Sequence, residues 1–179
     1  MRGLKLVELD QSSRTQFVEA EFLLVTQEGL LSFGQFLYSI QGHAQKIAFT
    51  RVHLCGDKLQ KPCDDIPVGY DGCAAVAKLF ASGLLPNLID FRLTDFVIDP
   101  FALIALTDAL VGHPTLMVLD LSRNNINEDV ATAVIQRLYG NPALSKLTFD
   151  GNPISTGLFR EQVIKPYFSS RKDLKILIA

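Results

Sequence analysis

LMVLDLSRNNI, residues 116–126, places apolar side chains at Leu116, Leu119, Leu121 and Ile126 and an amide at Asn124. The same frame returns 28 residues later as Leu144, Leu147, Phe149, Asn152 and Ile154, and it stands 28 residues earlier as Leu88, Phe91, Leu93, Phe96 and Ile98. Leu119 and Leu121 alternate with other side chains, the two-residue period of a short strand with one buried side. One such unit presents an apolar stripe that it cannot cover by itself. Stacked units cover it, with their strands paired in parallel about 4.8 Å apart.

Between the strands the pattern becomes helical, at residues 100–111 and 128–139 and more loosely at 157–168. Asp71, Asp99 and Asn127 precede helical patterns as caps, Pro100 takes the favoured first helical position, and Gly83, Gly112 and Gly140 follow as stops. Gly157 and Pro166 weaken the last helix. Helices need roughly 10 Å of lateral room, about twice what strands need, so the stack bends with its strands on the inner wall.

The L-x-x-L-x-L-x-x-N-x-I frame resembles a leucine-rich repeat, and a 28-residue unit with a full helix is similar to the ribonuclease-inhibitor type. The resemblance covers about residues 44–179. It implies an α/β leucine-rich repeat solenoid, with a curved parallel sheet inside and helices outside. Such scaffolds bind through side chains on the strand face, so the resemblance implies a non-enzymatic module that docks a protein partner there. The alternative it leaves open is a regulator of an enzyme, either of the GTPase-activating type or a bacterial effector acting on a host protein.

Asn124 and Asn152 occupy the slot where the chain leaves the strand, and an amide there can bond to turn backbone. Phe96 fills that slot one repeat earlier and is expected to be packed. A further copy reads Ala44, Ile47, Phe49, Val52 and Leu54, with Val52 in the slot. From Ala44 to Leu88 is 44 residues, one 28-residue period plus 16, and an insertion at about 55–70, rich in Pro and Gly, absorbs the surplus. Residues 1–43 form an N-terminal cap or an irregular first repeat. Residues 4–9 and 17–25 are strand-like, and residues 30–40 are helical in pattern.

The 179 residues suit one domain or one segment of a longer solenoid. Residues 61–120 carry 3 basic and 8 acidic side chains, and residues 121–179 carry 8 and 5, so charge is modestly polarised. No concentrated basic face speaks for nucleic acid. Residues 22–40 are apolar but broken by Gln27, Glu28, Gly29, Gly34 and Gln35, which argues against a membrane span. The three cysteines, Cys55, Cys63 and Cys73, are an odd number outside any export signal. A cytoplasmic site of action is expected, which includes a bacterial protein delivered to host cytosol.

His53, Cys55, Cys63 and Cys73 match no paired C-x-x-C knuckle, so no metal is expected. No nucleophile has a base placed beside it by the repeat, and Gly151 to Gly157 lacks the Lys of a phosphate loop, so neither an enzyme nor a cofactor is expected. The expected partner-binding residues face outward from the strands. Lys46, Asp90, Val118, Lys146 and Ile176 form one row, Ala48, Arg92, Asp120, Thr148 and Ile178 the next, and Thr50, Thr94, Ser122 and Asp150 a third. Of these, Lys46, Asp90, Arg92, Thr94, Asp120, Ser122, Lys146 and Asp150 are assigned to the partner, with Arg92 and Asp120 also placed to pair with each other. The last strand brings Leu174 and Leu177 inward and leaves Ile176 and Ile178 on the wall, a route to self-association.

Overall fold

Alternation in the sequence becomes a seven-stranded sheet in strict chain order. The computed structural model describes residues 2–10, 15–25, 35, 47–56, 70–168 and 171–179. Strand β1 (Arg2–Asp10) runs antiparallel to β2 (Thr15–Val25). From β2 onward every pairing is parallel, through β3 (Ile47–Gly56), β4 (Asp90–Thr94), β5 (Val118–Asp120), β6 (Lys146–Thr148) and β7 (Lys175–Leu177). The chain is thus α/β, with a six-stranded parallel sheet and helices between strands. The expected helix at 30–40 lies outside the described residues apart from Gln35, which is helical, as do residues 57–69 of the expected insertion.

The intervening helices are α1 (Tyr70–Ala81), α2 (Pro100–Leu110) and α3 (Glu128–Leu138). Asp99 accepts the Ala102 N–H at 2.9 Å, and Asn127 accepts the Val130 N–H at 3.0 Å, so both caps act as expected. Asp71 does not: α1 begins at Tyr70, which puts Asp71 inside the first turn. Gly83 and Gly112 end their helices at φ 69° and 75°, where a side chain would be strained. After α3 the chain runs through Gly140 without that conformation. Beyond β6, α4 (Thr156–Phe159) widens into a π turn (Arg160–Ile164) and continues as α5 (Lys165–Phe168). Pro166 has no N–H and its ring crowds the preceding turn, and the chain answers by letting Lys165 N–H reach Arg160 O.

Two registers differ from the expected ones. β3 pairs Val52 with Phe91 and Leu54 with Leu93, so the equivalent of Leu88, Phe91 and Leu93 is Phe49, Val52 and Leu54. The interval is 39 residues, 28 plus 11, and Val52 is a core position with no exposure rather than the turn slot. A slip of five, being odd, exchanges faces. Arg51, His53 and Cys55 therefore stand where Lys46, Ala48 and Thr50 were expected, and Lys46 itself lies outside the described residues. At the other end Leu147 pairs with Ile176, an interval of 29. The expected rows place Ile176 beside Lys146, an interval of 30, so the strand slips by one residue and its faces exchange. Leu174 is buried as expected, but Ile176 and Ile178 turn inward, Ile178 to 3% exposure, while Leu177 takes the outer face with Lys175, the reverse of what was expected for those three apolar residues.

The buried core is one cluster. Phe91, Leu93, Leu119, Leu121, Leu147 and Phe149 from the strands meet Leu103, Leu106, Val134, Ile135 and Phe159 from the helices. The turn slot behaves as expected where it holds asparagine. Asn124 accepts the Phe96 N–H and donates to Leu93 O. Asn152 accepts the N–H groups of Asn124 and Ile126 and donates to Leu121 O and Phe149 O. Each amide bonds back to the preceding repeat. Phe96, without such bonding capacity, is packed instead. One residue before the slot, Asp95, Arg123 and Gly151 all take positive φ, at 65°, 58° and 69°. Their N–H groups donate to Ser122, Asp150 and Ala179 carbonyls in the next repeat, so the left-handed step steers the chain out of the strand without leaving a donor bare.

A second ladder lies at the other end of the strands. His113 Nε2 meets Leu85 O at 3.1 Å, and Asn141 Nδ2 donates to Leu110 O at the same distance. Arg171 closes the series, with its guanidinium donating to the carbonyls of Tyr139, Asn141 and Leu144 and to Asp173, whose carboxyl it holds below the usual range. Because a carbonyl only accepts, His113 carries its proton on Nε2. Its Nδ1 is buried without a partner, and burial pushes its pKa below the ordinary 6.5. The unfolded chain therefore takes up the proton first as pH falls. The stability tied to neutral His113 is complete above about 6.5 and declines as pH drops towards the folded pKa. His113→Asn, which copies Asn141, should flatten the fall in melting temperature between pH 7 and pH 5. Equal slopes for the two proteins would exclude His113 as a source of the fall.

Candidate functional site

The outer face of the parallel sheet carries its side chains in register. One row reads Glu19, Arg51, Asp90, Val118, Lys146 and Lys175, and the next Glu21, His53, Arg92, Asp120, Thr148 and Leu177. Cys55 and Thr94 begin a third that Ser122 and Asp150 extend. Strand geometry puts these positions on the side away from Phe91, Leu93, Leu119 and Leu147, which the helices cover.

Charges on the β2–β4 part are paired with one another. Arg51 bridges Glu19 at 3.1 Å and Asp90 at 3.0 Å, and Arg92 binds the same Asp90 through Nε and Nη2 at 3.0 and 2.8 Å. Asp90 is only 5% exposed under the two guanidinium groups. Its hydrogen bonds raise the Arg92 pKa, against the opposing effect of burial. The expected Arg92 and Asp120 pair is adjacent in register but is not the ion pair that forms. Asp90 is buried and needs donors for both oxygens, whereas Asp120 already accepts Ser122 N–H and Oγ–H.

Beside them, His53 Nε2 stands 3.0 Å from Thr94 Oγ1, and Nδ1 stands 3.6 Å from Glu21 Oε1. Burial lowers the His53 pKa, and Glu21 partly opposes this. Hydroxyl, imidazole and carboxylate in this order resemble a nucleophile relay, which the register of β3 against β4 brings together. Thr94 is 3% exposed, however, and an acyl carbon cannot approach its hydroxyl. The contacts link β2, β3 and β4 side by side.

Of the eight residues assigned to a partner, Arg92, Asp120, Lys146 and Asp150 are partly exposed, and Asp90, Thr94 and Ser122 are buried. Lys46 lies outside the described residues. Arg51, His53 and Lys175 share the face, and all three emerge only from the two corrected registers. No family model matches the chain, and no curated protein matches it. Among the described residues no group of three or more His, Cys, Asp or Glu is arranged to hold a metal ion. The Cys55 thiol donates to Asp95 at 3.4 Å, and Cys63 lies outside the described residues. No described helix is long and apolar enough to cross a membrane.

Proposed function

We propose that the chain is a leucine-rich repeat solenoid of the ribonuclease-inhibitor type, and that it acts as a non-enzymatic module docking a protein partner on its strand face. The 28-residue recurrence of core, turn amide and left-handed step supports the solenoid reading. The observation that carries the binding reading is the width of the outer face. Six parallel strands span about 24 Å, with charged and hydroxyl side chains standing in register across them. A surface that broad fits another protein better than a small molecule, which seeks a concave pocket. The inaccessible Thr94 hydroxyl supports the non-enzymatic part.

Affinity capture from an extract of the source cell tests the reading. Arg51→Glu, Asp120→Lys and Lys146→Glu sample the face from β3 to β6, and Gln136→Lys on exposed α3 is the control. A discrete partner should be held by the wild type and by Gln136→Lys. At least one face variant should hold it roughly tenfold less, equivalent to about 1.4 kcal/mol. Equal retention by all three face variants would overturn the proposal.

A further inference from the structure

The two halves of the outer face differ in how their cations are met. On β2–β4 they are matched, Arg51 by Glu19 and Asp90 and Arg92 by the same Asp90. On β6 and β7, Lys146 and Lys175 stand side by side in register on strands about 4.8 Å apart, like charges that repel. Neither has an ion pair among the described residues. Asp120 and Asp173, the acidic residues flanking them, are bonded instead to Ser122 and Arg171. Lys146 is partly exposed and Lys175 exposed, so both can be reached from solvent.

Apolar surface gathers at the same corner. Seven large hydrophobic residues are exposed among the described ones, and three of them, Ile89, Met117 and Leu177, lie here. Leu177 is two residues beyond Lys175 on the outer face. Met117 O accepts the Lys146 N–H, and Ile89 O accepts the Met117 N–H, so these two residues lead up to Lys146 along the entry end of the strands. Val118, partly exposed, is beside Lys146 in register. Exposed apolar residues scattered singly need no explanation, whereas a contiguous group beside unmatched charge marks a contact surface.

We propose that the partner docks on this corner, from Met117 and Val118 to Lys146, Lys175 and Leu177. The occupant is an extended acidic segment of a protein, laid across the strands, with an apolar side chain two residues before a carboxylate. This rests on the reading of the outer face as a binding surface. A carboxylate between Lys146 and Lys175 accepts from both ammonium groups and removes their repulsion. That position is one and a half strand spacings from β5, about 7 Å. Side chains two residues apart on an extended segment face the same way at about 6.6 Å, so the apolar one covers Val118 and Met117. A nucleic acid would also meet the lysines, but its phosphates recur at every unit and would run onto Val118 and Met117, where no cation meets them.

The probes are acetylated, amidated nine-residue peptides in a Gly-Ser-Thr background with Phe-Thr-Glu at the centre, the same peptides with Gln for Glu or Ala for Phe, and a short single strand of thymidylate. Backbone amide shifts of the full chain are followed during titration. The Phe-Thr-Glu peptide should move Met117, Val118, Lys146, Lys175 and Leu177 most, and each altered peptide should bind at least about fivefold more weakly. Lys175→Gln should bind it about fivefold more weakly, whereas Lys175→Arg, which keeps the charge, should stay within about twofold of wild type. Both should keep the wild-type melting temperature, because Lys175 is exposed and has no partner to lose. Unmoved amides at millimolar peptide, equal binding of the three peptides, undiminished binding by Lys175→Gln, or equal loss in Lys175→Gln and Lys175→Arg would each overturn the site. Thymidylate moving the same amides at lower concentration than the peptide would overturn it in favour of a phosphate chain. Shifts centred on Arg51, His53 and Arg92 would also overturn it, yet would leave the broader binding reading standing, because the capture experiment decides that separately.

Discussion

Leu119→Asp is expected to cost about 5 kcal/mol, enough to unfold much of the population at room temperature. Leu119 is 1% exposed in the middle of the parallel sheet, in register between Phe91 and Leu147. Its loss removes roughly 2 kcal/mol of apolar burial, and the carboxylate that replaces it meets no cation among these apolar neighbours. Either the charge is buried unpaired or the carboxyl takes up a proton, and both cost several kcal/mol. Domains of this size hold about 5–15 kcal/mol in total, so this one change consumes a large share. Urea denaturation measures it, with Met117→Asp as control. Met117 is 46% exposed two residues away and should shift the midpoint by no more than about 0.5 kcal/mol. A Leu119→Asp melting temperature within a few degrees of wild type would show that the strand faces are assigned the wrong way round.

The second large effect separates two asparagines that look alike in sequence. Asn152 makes four side-chain hydrogen bonds, at 2.9, 2.9, 3.0 and 2.8 Å, all to buried backbone. Asn124 makes two, at 2.8 and 2.6 Å. Truncation strands every partner, at about 1–3 kcal/mol each before the backbone relaxes. Asn152→Ala should therefore destabilise by about 3–5 kcal/mol and Asn124→Ala by about 1–3. Phe96→Asn should gain nothing, since Phe96 is packed at 7% exposure and its replacement would open a cavity. The order is the test, read from unfolding free energies in urea. An Asn124→Ala cost equal to or above that of Asn152→Ala would mean that the amide bonds do not carry the stability of the turns.

The core and turn positions behind both effects are legible in the amino-acid sequence. The frame around residues 116–126 identified Leu119, Leu147 and Phe91 as core, Asn124 and Asn152 as turn amides, Phe96 as packed, and Asp99 and Asn127 as caps. All of these follow from local periodicity and from the bonding capacity of single side chains, which a short window of sequence contains. The candidate site was legible only where the repeat is regular. Asp90, Arg92, Asp120 and Lys146 stand on the outer face as the frame requires. The pairing of Arg92 with Asp90 was not legible, because it depends on which carboxylate is buried and short of donors. Equally hidden was Arg171, which serves three carbonyls from a turn with no motif of its own.

What the sequence by itself determined is the repeating unit: its 28-residue period, its inward stripe and its turn amide. Each is written in the spacing of residues within one strand and one helix. The tertiary structure alone decided how the irregular units join that series, with β3 entering 39 residues before β4 and β7 leaving 29 after β6. Register is a property of two strands and of the chain between them, and spacing within one strand does not contain it. Because side chains alternate at every residue, an odd slip exchanges a whole strand's faces. That exchange brought Arg51 and His53 onto the outer face beside Asp90 and Thr94, and it turned Ile176 and Ile178 into the core.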